Sequence, residues 1–168
     1  KTNNYSISKY YSISHHREIE KLSERESIDK FHSELKRSID YRLRSDVTVG
    51  SCLSGGLDSS TVASIASSRY MKESSNKKFT AIHAKSTEKD SDESYYASKV
   101  SEISNLDLII VKPSIEDFKS HIDEVAYTQE EPFGGPSIFM QYFVMKKAKE
   151  IGCTVMLDGQ GGDEILLG

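Results

Sequence analysis

The run Val47-Thr48-Val49-Gly50-Ser51-Cys52-Leu53-Ser54-Gly55-Gly56-Leu57-Asp58-Ser59-Ser60-Thr61 constrains this chain more than any other, because it passes from an apolar strand through paired glycines into a helix start. Val47, Val49, Cys52 and Leu53 suit a buried strand, and Gly55-Gly56 lets the backbone turn sharply without a Cβ clash. A helix opening at Ser59-Ser60 presents unpaired N–H groups at the positive end of its dipole, and with the hydroxyls of Ser54, Ser59 and Ser60 these bind phosphate oxygens. Asp58 would be repelled by phosphate, so it reads as the holder of a divalent cation that bridges to the phosphates. The plainer alternative is a capped helix after a tight turn, where Asp and Ser are favoured anyway. Neither Gly-x-x-x-x-Gly-Lys-Ser/Thr nor Gly-x-Gly-x-x-Gly is present, which sets the run apart from the two common glycine-rich nucleotide motifs.

Around this run the chain reads as alternating strands and helices. Residues 1–22, rich in Tyr, Ser and His, read as a linker, the end of a preceding domain or a short edge hairpin, and His15-His16 as a solvated pair rather than a metal site. Ser23 with Glu26 forms a capping box ahead of Ile28, Phe31, Leu35, Ile39 and Leu43, which recur at helical spacing. After the glycine run come a helix carrying Val62, Ile65, Ala66 and Tyr70, a strand over 79–84, and a helix whose core face is Tyr96, Val100 and Ile103. A strand over 106–111 leads to a second capping box, Ser114 with Asp117, and a helix bearing Ile115, Phe118, Ile122 and Val125. The loop Glu130-Glu131-Pro132-Phe133-Gly134-Gly135-Pro136 then precedes a helix over 137–150 and a strand over 154–157. This order predicts an α/β fold, a mostly parallel sheet with helices on both faces, over 23–168. In such sheets the ligand lies at the carboxyl ends of strands flanking the switch in strand order.

A second glycine loop, Asp158-Gly159-Gln160-Gly161-Gly162-Asp163-Glu164, follows the last strand. If the strands ending at Leu53 and Leu157 are parallel neighbours, both loops leave the same edge and Asp58 can approach Asp163. Two carboxylates that close are costly without a cation between them, and Mg²⁺ typically takes one or two carboxylates plus phosphate oxygens. Otherwise the loop is a polar turn capping the next helix through Asp163.

Composition excludes several classes. The net charge of −4 over 168 residues argues against a general nucleic-acid binder, and no run of about 20 apolar residues or leader pattern points to a membrane. Cys52 and Cys153, isolated beside apolar runs, read as buried hydrophobes without a disulfide, consistent with a reduced, cytoplasmic setting. The start at Lys1 and the stop after Ile165-Leu166-Leu167 read as those of a part of a longer domain.

The string Ser54 to Ser60 resembles the pyrophosphate loop of the N-type ATP pyrophosphatases. Together with Glu130 to Ser137 and Asp158 to Gly168 it resembles the synthetase domain of glutamine-dependent asparagine synthetases, of the adenine nucleotide alpha hydrolase-like fold, from about residue 25 onward. The resemblance implies ATP and Mg²⁺ as cofactors. Leu53, Ser54, Ile82 and the backbone of Gly159 would line the adenosine pocket, Gly55, Gly56, Ser59 and Ser60 would hold pyrophosphate, and Asp58 and Asp163 would ligate Mg²⁺. It implies adenylation of a carboxylate, aspartate in that family, then attack by ammonia that a glutaminase domain supplies. Gln160 departs from the pattern, which often has an acidic residue there near the amino-acid substrate, and an amide would hold an ammonium group less strongly. That leaves two other readings: amidation or cyclisation of another carboxylate, such as a sugar acid or, as in β-lactam synthetase relatives, a β-amino acid, and a noncatalytic nucleotide-binding module. The glutaminase domain and a catalytic lysine of the family are expected outside these residues, so residues 1–168 alone are expected to be inactive.

Overall fold

The computed structural model describes residues 5–14, 16–74 and 77–166. The chain divides into two compact units, Lys1–Leu35 and Lys36–Gly168. In the first, residues 5–14 form neither helix nor strand, so no edge hairpin is found among the described residues; a short 3₁₀ turn covers Ile19–Lys21. His15 lies outside the described residues. Helix α1 (Glu24–Leu43) starts at the expected box, with Ser23 N donating to Glu26 Oε2 at 2.8 Å and Glu26 N donating to Ser23 Oγ at 3.4 Å.

In the second unit the order is β1 (Val49–Cys52), α2 (Leu57–Glu73), β2 (Thr80–Ala84), α3 (Ser94–Ser104), β3 (Asp107–Val111), α4 (Ile115–Gln129), α5 (Ser137–Glu150), β4 (Val155–Leu157) and α6 (Gly162–Leu166). All four strands are parallel, in the order β3-β2-β1-β4. The chain steps outward from β1 to β2 to β3, then returns to the other side of β1. Strand order therefore reverses between β1 and β4, where open parallel sheets bind ligands. The register there pairs Val49 with Val155 and Ser51 with Leu157, and Ser51 Oγ donates to Leu157 O at 3.3 Å.

Alternate residues of β2 sort the helices onto the two faces. Ile82 packs with Cys52, Val144, Ala148 and Cys153 on the α5 side, while His83 reaches Ser94 of α3 on the side where α2 and α3 pack together. Phe79, Leu53, Ile82 and Val125 are fully buried, each contributing about 1.5–3 kcal/mol relative to exposure. Arg69 of α2 pairs with Asp40 of α1 at 2.6 Å, half-exposed and worth little.

Two expected faces differ from the observed ones. Tyr96 and Ile103 are 60% and 85% exposed, and the inward residue of α3 is Ala97. The pairing of α2 with α3 uses small residues, with Ser104 Oγ donating to Ser64 Oγ at 2.8 Å and Ser67 Oγ to Ser104 O at 2.7 Å, which leaves no room for a large apolar stripe. Val47 lies outside β1 and is exposed, whereas Leu53, just past its end, is buried.

Candidate active site

The sequence makes the α2 start an unusual one. Its N-cap is Gly56, with no side-chain cap, and the first amide of the helix to find a protein acceptor among the described residues is Ser60 N, bonded to Gly56 O at 3.1 Å. The hydroxyls that could have capped it bind one another instead. Ser54 Oγ and Ser59 Oγ lie 2.7 Å apart, Ser54 N donates to Ser59 Oγ at 3.1 Å, and Gly56 N donates to Ser54 Oγ at 3.1 Å. Gly55, at φ 104°, makes the turn, in a conformation that side chains rarely adopt. The loop is thus braced from within while the dipole end of α2 stays open.

The second loop lies directly against it. A Cβ on Gly159 would stand 2.6 Å from Ser59 N, and one on Gly162 would stand 2.4 Å from Asp58 Oδ2. Position 159 demands glycine because the backbone that follows β4 touches the start of α2, whereas at Gly162 the neighbour is the Asp58 carboxylate, which can turn aside. Gly162 immediately precedes Asp163, so Asp58 and Asp163 share one neighbourhood.

Both loops open into a cavity of about 630 Å³, within the range of small-molecule sites. Leu53, Ser54, Gly56, Asp58, Ser59, Ile82, Gly159, Gln160 and Asp163 line it. Gly55 and Ser60 lie outside the lining, and the Ser60 hydroxyl is buried with no hydrogen-bond partner among the described residues. No group of three or more His, Cys, Asp or Glu side chains placed to hold a metal ion occurs among the described residues. Two carboxylates, Asp58 and Asp163, lining one cavity do suit Mg²⁺, which usually arrives with nucleotide phosphates and keeps several waters.

Sequence reasoning assigned no site role to several lining residues, Gln141, His83 and Cys52 among them. Gln141 of α5 donates from Nε2 to Asp158 Oδ2 at 2.8 Å, and Asp158 Oδ1 accepts from Gln160 N at 3.3 Å, which fixes the carboxylate at the end of β4. His83 is buried, with its ring nitrogens 2.8 Å from Leu53 O and 2.9 Å from Ser94 Oγ. Both left a trace in the sequence: Gln141 interrupts the apolar run Phe139-Met140-Gln141-Tyr142-Phe143, and His83 is the ionisable residue of the strand Thr80-Ala81-Ile82-His83-Ala84. The third, Cys52, is a free thiol pushed up to about 12 by burial and then by the Asp158 charge, so it stays protonated at neutral pH and is no nucleophile. Cys153 is likewise free and buried.

Parallel α/β architecture with two glycine loops at the switch point defines a class of sheet that binds ligands there, and similarity to known proteins narrows it. Residues 30–168 match the asparagine synthase family model, and the chain belongs to that family, whose domain has the ATP pyrophosphatase fold. It is 32% identical over 131 residues to glutamine-hydrolyzing asparagine synthetase 1 of Bacillus subtilis, covering 78% of this chain and 20% of the relative. With putative glutamine-hydrolyzing asparagine synthetase 2 of Methanocaldococcus jannaschii it shares 36% identity over 133 residues, 78% of this chain and 24% of the relative. The chain thus spans about a fifth to a quarter of the length of these curated relatives. No helix among the described residues is long and apolar enough to cross a membrane.

Proposed function

We propose that this chain forms the ATP site of an amide-forming synthetase that activates a carboxylate, most simply the side chain of aspartate, by adenylation. The observation that carries the reading is the contact of the two glycine loops at the β1/β4 switch, with Gly159 against Ser59 N and Gly162 against Asp58. Leu53 and Ile82 offer apolar walls for adenine, with the Gly159 backbone beside them. The open N–H groups at the start of α2, Gly56 and the Ser54 and Ser59 hydroxyls suit the pyrophosphate, and Ser60 and Gly55 shape the turn that presents them. Asp58 and Asp163 would hold Mg²⁺, which supplies charge neutralisation at the phosphates.

A carboxylate is a poor electrophile, and adenylation makes it a good one. Its oxygen attacks the α-phosphorus, the bond to the β-phosphate bridging oxygen breaks, and pyrophosphate departs. Ammonia then attacks the acyl carbon, AMP leaves, the nitrogen loses a proton, and an amide remains. Preorganised amides at the loop stabilise the charge on the departing pyrophosphate. Ammonia would come from glutamine hydrolysis elsewhere in the assembly, as the relatives' names indicate for them.

Gln160 favours a second reading, a different carboxylate. Its side chain is exposed at the cavity and offers no charge to an ammonium group. Pyrophosphate release by the full-length protein, with ATP, Mg²⁺ and ammonia, separates the two. Release that depends on aspartate supports the first reading, and release that ignores aspartate but follows another carboxylate supports the second. Nucleotide binding without pyrophosphate release for any carboxylate would leave a noncatalytic module.

A further inference from the structure

Gln141 puts an amide on a helix that otherwise meets the sheet through apolar side chains. Val144 and Ala148 of α5 pack against Cys52, Ile82 and Cys153. The Gln141 amide turns instead to the end of β4, where Nε2 donates to Asp158 Oδ2 at 2.8 Å and lies 3.9 Å from Cys52 Sγ. A carboxylate only accepts, so the group facing Oδ2 is the NH₂ of the amide. The other Asp158 oxygen, Oδ1, accepts from Gln160 N at 3.3 Å. No lysine or arginine lines this cavity, and Asp158 is held there by amides. A hydrogen bond to a charged acceptor is roughly twice as strong as a neutral one.

These bonds bracket Gly159, the residue whose backbone lies against Ser59 N and Asp58 C in the first turn of α2. Its neighbours are tied in turn. Leu157 O accepts from Ser51 Oγ at 3.3 Å, Asp158 is gripped by Gln141, Gln160 N folds back onto Asp158, and Gly162 N donates to Gly159 O at 3.2 Å. The last two are local to the loop. The first reaches β1 in the sheet, and the second reaches α5 on one face of it. A tie to the sheet alone leaves a loop free to pivot about the end of its strand, and the tie to α5 removes that freedom.

We propose that Gln141 is a positioning residue for the nucleotide site: through Asp158 it anchors the second glycine loop to α5, and so sets where Gly159 and Asp163 stand relative to the start of α2. The amide acts through the Asp158 carboxylate and the loop backbone, not on the reacting atoms. This deepens the nucleotide reading and rests on it for the ligand, whereas the anchor itself does not.

The test uses the full-length protein. Calorimetry measures Mg²⁺-ATP affinity, and hydrogen exchange without ligand follows the amides of Gln160 and Gly162. Gln141→Glu sets two carboxylates face to face, so affinity should fall about tenfold and both amides should exchange faster. Adding Asp158→Asn lets amide and carboxylate change places: the Asn oxygen still accepts from Gln160 N while its NH₂ faces the new carboxylate. Both readouts should then return to within about threefold of the parent. Gln141→Leu, which keeps the bulk of the side chain without a polar atom, should also lose about tenfold, and serves where Gln141→Glu fails to fold. Asp158→Asn should restore nothing in the Gln141→Leu background, which separates the anchor from a simple loss of negative charge. A double variant no better than Gln141→Glu, or parent-like ATP affinity in Gln141→Leu, overturns the proposal. Faster exchange with unchanged affinity makes the bond merely structural and overturns it too. If no protein in the series binds ATP while the amides loosen and recover as described, the anchor stands and the nucleotide reading fails.

Discussion

The starts of α2 and α4 solve the same problem in opposite ways. Both begin just past the carboxyl end of a parallel strand. At α4 the chain closes its own end: Ser114 Oγ accepts from Asp117 N at 3.1 Å, and Asp117 Oδ2 accepts from Ser114 N at 2.8 Å. At α2 the cap is a glycine with no side-chain bond, and the nearby serines spend their hydroxyls on each other. A helix end left open at the mouth of a cavity keeps its first N–H groups free to meet water or a ligand. The comparison teaches that the closed end is satisfied by its own chain, while the open one is the end to which the proposed function assigns binding.

Substitutions at the two ends should therefore separate cleanly. The largest effect belongs to Gly159→Ala, whose Cβ would intrude to 2.6 Å of Ser59 N and 2.9 Å of Asp58 C, backbone atoms that cannot step aside. Mg²⁺-ATP affinity measured by calorimetry should drop on the order of 100-fold or more, a size typical of losing a preorganised charge-stabilising group. Gly134→Ala, with nothing within 4 Å of its Cβ, is the control and should change neither affinity nor stability beyond about 0.5 kcal/mol. Equal behaviour of the two would break the comparison.

Next in size is Ser59→Ala. It removes the hydroxyl that meets Ser54 N, Ser54 Oγ and Gly56 O, and should cost about 1–2 kcal/mol in urea unfolding along with about tenfold in nucleotide affinity. A stability loss with unchanged affinity would mean that the brace is merely structural.

At the closed end, Ser114→Ala should lower the melting temperature by a few degrees and leave nucleotide affinity untouched. Its pH dependence has a definite sign. Bonds from the Ser114 amide and hydroxyl hold the Asp117 carboxyl below its ordinary range, so their stabilisation is present above the unfolded value of about 3.9 and is lost as pH falls through the folded one. The stability gap between the parent and Ser114→Ala should narrow as pH is lowered from 7 toward 2. A gap that widens would contradict this assignment.

The sequence was most legible where local chemistry decides the structure. Both capping boxes, the four strands, the pairing of β1 with β4 and the meeting of the two glycine loops follow from short patterns, and each is present. It was least legible where packing partners decide. The face of α3 was misread because it packs through Ala97 and serines rather than through Tyr96 and Ile103. His83 and Gln141 were overlooked because their roles come from contacts with Leu53, Ser94, Cys52 and Asp158, which periodicity does not encode.

The central claim is that the two loops form one Mg²⁺-ATP site through Asp58 and Asp163. Calorimetric titration of ATP into the full-length protein, Asp58→Asn and Asp163→Asn, each with and without Mg²⁺, tests it most directly. The account predicts Mg²⁺-dependent binding by the parent and at least tenfold weaker binding by both variants, with the Mg²⁺ dependence diminished. Parent-like, Mg²⁺-dependent affinity in both variants would contradict it.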